Sequence, residues 1–196
     1  MSRKKQQVLE KGCQLFFEKG IRETSMDDVA EAVPVSKMTI YKYFQNKEGL
    51  IEEVCEKVAR EHHMHMRAIF ESSDDMIEII SKLSCEKQLR TKYEAFFQGL
   101  MTEYPLLLKK TMDYQRDHMM PDFELFIFRA QQKGTIRKDI APQMIMMFMA
   151  CINEFITKMM SSEGIHQAQN AADQMMNLLC YGIVAPEHQR EQESNS

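Results

Sequence analysis

The sequence predicts an all-α protein of about nine helices, and three observations carry that expectation. Apolar residues recur at three- and four-residue spacing along almost the whole chain. Ser, Asp or Asn stands ahead of many of these periodic segments, where helix caps belong. Gly and Pro number only 7 and 5, too few for the turns of a sandwich, a barrel or a phosphate-cradling loop. No segment alternates with the period of a strand.

The elements follow in order. Residues 5–18 carry the stripe Val8, Leu9, Gly12, Cys13, Leu15 and Phe16, and Lys19-Gly20 ends that helix. Ser25 and Asp28 stand as a capping box for a short helix to about residue 32. Pro34 breaks it, because proline disfavours helical geometry at Val33. Ser36 caps a third helix over 37–44, and Gln45-Asn46 turns the chain into a long fourth one over 47–70. The inward stripe of that helix is expected to include Leu50, Val54, Val58, His62, His65 or Met66, and Ile69. Helices over 75–85 and 87–103 follow, the second with Leu89, Tyr93, Phe96, Phe97 and Leu100 inward. Pro105 opens a helix to residue 133, with a kink or break expected at Pro121. Two last helices cover 141–160 and 164–184. The polar tail, 186–196, is expected to be disordered.

Composition narrows the function. The 196 residues suit one domain or two small ones, and 28% of them are charged, as in a soluble globular protein. No apolar run has the length of a membrane span, and no apolar stretch follows the basic N-terminus, so a cytoplasmic protein without a secretory signal is expected. The five Cys, at 13, 55, 85, 151 and 180, include no C-x-x-C pair and predict neither a zinc ribbon nor a disulfide framework. Residues 1–49 carry a net charge of +2 and the remainder −6, which places any polyanionic partner at the N-terminal end. No nucleophile elbow, metalloprotease motif or phosphate loop occurs, so an enzyme is not expected, nor is a cofactor.

Residues 25–44 read as short helix, tight turn, short helix. Met26, Val29, Ala30, Val33, Val35, Ile40 and Phe44 allow the two to pack across each other steeply, the geometry of a helix-turn-helix. Lys37, Thr39, Tyr41 and Lys42 fall on the face turned from that core, within reach of phosphates or base edges. From periodicity alone, a packed helical hairpin with a solvated polar face fits equally well.

The literal residues go further. Thr24 to Ala32 read TSMDDVAEA, Val35 to Phe44 read VSKMTIYKYF, and Asn46 to Leu50 read NKEGL. With Leu15 to Gly20, LFFEKG, these stretches closely resemble the DNA-binding domain of the tetracycline-repressor (TetR) family of bacterial regulators over about residues 6–52. Two positions depart from the family pattern: Pro34 replaces the usual turn glycine, and Met38 replaces a commonly small residue. The resemblance implies a three-helix helix-turn-helix DNA-binding domain over 1–48 and a ligand-sensing and dimerisation domain over 49–185. Lys37 and Thr39 would then face base edges or nearby phosphates, and Tyr41 and Lys42 the sugar-phosphate backbone. Ser25 and Lys47, each at a helix start, would meet phosphates. Ile40, Tyr43 and Phe44 would be structural. The partners implied are a pseudo-palindromic double-stranded DNA operator, a small-molecule effector and a second copy of the chain, with no membrane involved, and the protein would act as a repressor.

The remainder supports a homodimer. Fourteen of the 20 residues at 141–160 are apolar, and a helix apolar all round needs burial on more than one face. The expected interface residues are Met149, Ile152 and Ile156 with Ala168, Ala172, Met175 and Leu179; the competing reading is a core helix of a monomer. The 18 Met are suited to a pliable apolar pocket. Candidates to line it are His62, His65, Tyr93, Phe96, Phe97, Tyr104, His118, Met119, Phe126 and Met146, for an apolar or amphipathic effector. Ordinary core packing is the competing reading for each. The cluster His62-His63-Met64-His65-Met66, with His118 and Cys85, leaves a metal- or redox-sensing regulator as an alternative, although no complete ligand set stands at diagnostic spacing. A helical interaction module that binds no DNA is the other.

Overall fold

A computed structural model describes residues 2–85, 93–162 and 164–184. Nine α-helices lie among them: α1 (Arg3–Lys19), α2 (Met26–Glu31), α3 (Lys37–Phe44), α4 (Lys47–Glu71), α5 (Met76–Cys85), α6 (Glu94–Glu103), α7 (Pro105–Lys133), α8 (Pro142–Ser162) and α9 (Ile165–Ile183). The only extended pairing among the described residues is a single bridge between Ile136 and Val184. The expected helix start at 87 and Leu89, the side chain of Cys85 and the tail 186–196 lie outside the described residues.

The described residues form two compact units, 2–63 with 93–116, and 64–85 with 117–184. This division of packing does not follow the 48/49 boundary. Its cause in the first unit is aromatic: Phe16 stacks on Phe96 at 6.3 Å between ring centroids, and Phe17 meets Tyr93 and Phe96 edge-on at 4.6 and 5.3 Å. These contacts join α6 to the core of the N-terminal helices, which also buries Ile21, Val29, Ile40, Phe44, Leu50 and Val54.

Local chemistry explains the N-terminal helices. Ser2 caps α1, its hydroxyl accepting from the Lys5 N–H at 3.2 Å. The buried face of α1 is the stripe expected from its spacing. Gly20 ends α1 at φ +87°, a conformation that favours glycine, and its N–H donates to the Phe16 carbonyl at 3.0 Å. The capping box on α2 forms as expected: the Asp28 N–H donates to Ser25 Oγ at 3.1 Å and the Ser25 N–H to the Asp28 carboxylate at 2.7 Å.

Two tight turns position α3. The Val35 N–H donates to the Val33 carbonyl at 2.8 Å, closing a three-residue turn over Pro34. The fixed negative φ of proline suits that turn, so the missing glycine is not needed. After α3 the hand reverses. Gln45 sits at φ 62°, ψ −51°, and the Asn46 N–H donates to the Phe44 carbonyl at 2.7 Å. This is the strained positive-φ γ-turn, in a non-glycine residue. Asn46 then caps α4 by accepting from the Gly49 N–H at 2.8 Å.

In the second unit, Met66, Ile69 and Phe70 of α4 pack with Met76 and Ile79 of α5 and with Phe123, Phe126, Ile127 and Ala130 of α7. The connection 134–140 is pinned by polar contacts. Arg129 pairs with Asp74 at 2.8 Å, the Thr135 hydroxyl donates to the Asp74 carbonyl at 2.6 Å, and the buried Gln131 amide donates to the carbonyls of Arg137 and Ile140. The Arg137 N–H donates to the Ile183 carbonyl at 2.8 Å and so ties the end of α9 to this connection.

Two expectations are corrected. Helix α7 continues through Pro121, so the break, one of the two outcomes expected there, does not occur. Proline withholds its N–H from the carbonyl four residues back and its ring crowds that carbonyl, but burial of Phe123, Phe126 and Ile127 holds the following turns in the helix. His62 and His65 do not join the inward stripe of α4. Both are exposed, and the buried positions around them are Ala59, Met66 and Ile69.

Candidate nucleic-acid interface

Helix α3 divides cleanly. Ile40 and Phe44 are buried in the first core, whereas Lys37, Met38, Tyr41, Lys42 and Gln45 are exposed. The exposed positions share one face, since residues three and four apart are neighbours on a helix. Of the six residues expected at DNA, Lys37, Tyr41 and Lys42 lie on this outward face. Thr39 and Lys47 are half-buried, and Ser25 is exposed at the start of α2.

Several of these groups already have partners. The Lys37 ammonium pairs with Asp27 of α2, and that carboxylate raises its pKa. The hydroxyls of Ser36 and Thr39 lie 2.8 Å apart, and the Thr39 N–H donates to Ser36 Oγ at 3.3 Å, so Thr39 takes part in the α3 cap. Hydrogen bonds from Ser25 hold the Asp28 carboxyl below the usual carboxylate range, with Lys19 adding to the effect from 3.5 Å. Tyr43 accepts a hydrogen bond from Ser2 at 3.2 Å and meets the Phe44 ring edge-on. Lys5 sits 5.4 Å from the centre of the Phe44 ring and pairs with Glu53 at 2.6 Å. Tyr43 and Phe44 thus anchor α3 to α1 from behind.

The expected effector residues fall in both units. Phe96 is fully buried in the first core and Phe126 in the second, each packed against other aromatic rings. His62, Tyr93, Phe97 and Tyr104 belong to the first unit, and His65, His118, Met119 and Met146 to the second. Burial raises the Tyr104 pKa, with Glu103 and Glu48 adding to the effect. A cleft of the first unit is lined by Lys19, Ile21, Arg22, Gln98, Gly99, Thr102 and their neighbours, none of which the sequence had singled out for a ligand. Among the described residues no three His, Cys, Asp or Glu side chains are grouped to hold a metal ion.

The expected interface set is also turned inward in part. Ile152, Ala168 and Leu179 are buried in the second unit's own core, and Met149, Ile156, Ala172 and Met175 are half-buried. The exposed apolar face of α8 is Met144, Met147, Phe148, Cys151 and Phe155, and α9 adds Leu178 and Tyr181. The α8 residues recur at three and four, a continuous stripe along the helix.

Comparison with known proteins agrees with this architecture. Residues 8–54 match the family model for bacterial regulatory proteins of the tetR family. Over this segment the chain is similar to the TetR family of bacterial regulators. A relative, the transcriptional repressor DhaR of Mycobacterium sp. strain GP1, is 23% identical over 74% of this chain and 76% of its own length. The Bacillus subtilis regulator YvkB is 30% identical over 55% of this chain and 63% of its own length. The fold extends beyond the matched segment. A TetR-family regulator from Mesorhizobium loti superposes with a TM-score of 0.66 at 16% identity, over 93% of this chain and 98% of that one. A transcriptional regulator from Saccharomonospora viridis, solved with choline, gives 0.66 at 15% identity over 94% and 99%. Among the described residues, no helix is long and apolar enough to cross a membrane.

At this interface, sequence reasoning missed Asp27. A carboxylate in the first turn of α2 looks like ordinary N-terminal charge, and only the packing of α2 on α3 brings it to Lys37. Asp27→Asn is expected to tighten DNA binding several-fold. It removes a negative charge beside the phosphates and frees Lys37. The slope of log affinity against log salt should steepen by about one per protomer. An unchanged slope in a salt titration would show that Lys37 does not exchange Asp27 for phosphate.

Proposed function

We propose that the protein is a homodimeric repressor that binds a pseudo-palindromic duplex through α3 and is released by a small apolar or amphipathic effector. The observation that carries the DNA reading is the outward face of α3. It presents Lys37, Met38, Tyr41 and Lys42 on a helix fixed at both ends by three-residue turns and anchored behind by Phe44 and Tyr43. Side chains at the start of such a helix contact base edges, and two half-sites one helical turn or a multiple apart require a dimer. The exposed apolar stripe of α8 with Leu178 and Tyr181 of α9 supplies the surface for it.

The effector reading rests on composition and burial. Met101 and Met112 are half-buried beside the first core, and Met119, Met146, Met175 and Met176 beside the second. Unbranched thioethers at such positions adapt to varied apolar guests. An effector releases DNA only by preferring a state in which the two reading helices are wrongly placed. Helix α4, with residues in both units, is the element that would carry the change.

Selection from a random duplex pool tests the proposal directly. Recovered sequences should share an inverted repeat, and the protein should scatter light as a dimer at micromolar concentration. Affinity for the recovered duplex should fall on the order of a thousand-fold between about 50 and 200 mM salt. Recovery of no common sequence, or a salt-independent affinity, sinks the DNA reading and leaves a protein-binding module.

A further inference from the structure

We propose that Met38 is a specificity-determining residue that reads the 5-methyl group of thymine in each operator half-site; this rests on the DNA reading above. In the first turn of α3, Ile40 is buried, the Thr39 hydroxyl is engaged with Ser36, and the Lys37 ammonium is held by Asp27. Met38 projects outward from the same turn, 82% exposed, the highest exposure of any large hydrophobic among the described residues. Tyr41 and Lys42 follow it at three and four residues on the same face.

An apolar side chain so placed gains nothing from folding and leaves its surface in water in the free protein. The major groove offers one apolar feature, the thymine methyl, and the N-terminal residues of a reading helix are those that reach base edges. Methionine is long enough to reach past the flanking Lys37, has three rotatable bonds, and is polarizable. Its contact carries no hydrogen bond, so it distinguishes thymine from cytosine and from uracil by the methyl alone.

Deoxyuridine isolates that contact, because it differs from thymidine only in lacking the methyl. Wild-type and Met38→Ala protein are titrated against the duplex recovered by selection, and against copies with each symmetric pair of thymidines replaced by deoxyuridine. At one symmetric pair the wild type should lose about fourfold per half-site, the worth of one buried methyl. Met38→Ala should bind the two duplexes alike, with an unchanged melting temperature, and Met38→Leu should restore part of the difference. The assignment is overturned if every deoxyuridine pair affects both proteins equally, or if none affects the wild type. A protein that binds no duplex in any form removes the DNA reading, and this assignment with it.

Discussion

Glu at Phe148 and Leu178 together is expected to yield a folded monomer whose DNA affinity falls by roughly 10²- to 10⁴-fold, the advantage lost when a second half-site is no longer tethered to the first. The two side chains are 46% and 73% exposed, so the substitution leaves the second unit's core of Ile145, Ile152, Leu179 and Ile183 untouched. A stable interface of standard size buries about 800 Å² per partner. Two carboxylates at its centre would have to give up water with no partner offered. The contrasting substitution is Ala168→Glu. Ala168 is fully buried within the chain, so that variant should lose its fold and not merely its partner. Sedimentation separates the two outcomes. A Phe148→Glu, Leu178→Glu variant that remains a dimer with wild-type affinity would place the interface elsewhere.

Gly49→Ala is expected to destabilise the first unit and to disturb DNA binding, against the direction of helix propensity. A Cβ at this position would lie 2.2 Å from the Phe44 carbonyl oxygen. Backbone cannot yield as a flexible side chain does, so the turn Phe44-Gln45-Asn46 must open. That turn holds the strained Gln45, and Asn46 caps α4 through the Gly49 N–H itself. Overpacking costs about 1–3 kcal/mol, and a weakened cap about 1 kcal/mol more. Alanine returns about 1 kcal/mol in propensity, which leaves a net loss of about 1–3 kcal/mol. A thermal melt should show it as a fall of several degrees. Gly182→Ala in α9 is the control. Nothing lies within 4 Å of a Cβ there and its φ is not positive, so the same change should be neutral or slightly stabilising. Equal melting temperatures for the two variants would count against a tight approach at Gly49.

Much of the fold was legible because its signals are local. The caps at Ser25, Ser36 and Asn46 each rest on side chains reaching amides three residues on. The buried face of α1 follows from spacing alone. The outward positions of α3 were legible for the same reason: with Ile40 and Phe44 inward, Lys37, Tyr41 and Lys42 have one place to go. Thr39, assigned to DNA with them, turned out to share the helix cap with Ser36.

Other features escaped for identifiable reasons. Where nearly every residue of α8 is apolar, periodicity no longer marks which stripe meets the chain's own core, and the expected interface was drawn partly from residues that are buried at home, Ile152 with Leu179 and Ala168 of α9. His62 followed the stripe on paper but is exposed, and of the two residues the spacing offered next, His65 and Met66, it is Met66 that the second core buries together with Ile69. The sequence by itself determined where α2, α3 and α4 begin and which face of the reading helix is outward, because hydrogen bonds and sterics within a few residues settle those. Only the tertiary structure decided that Asp27 restrains Lys37, that Phe16 and Phe17 draw α6 into the N-terminal core, and that Phe148 and Leu178 remain outside. Each of these depends on which residues distant in sequence meet in space, and packing selects among apolar faces that local propensity leaves equivalent.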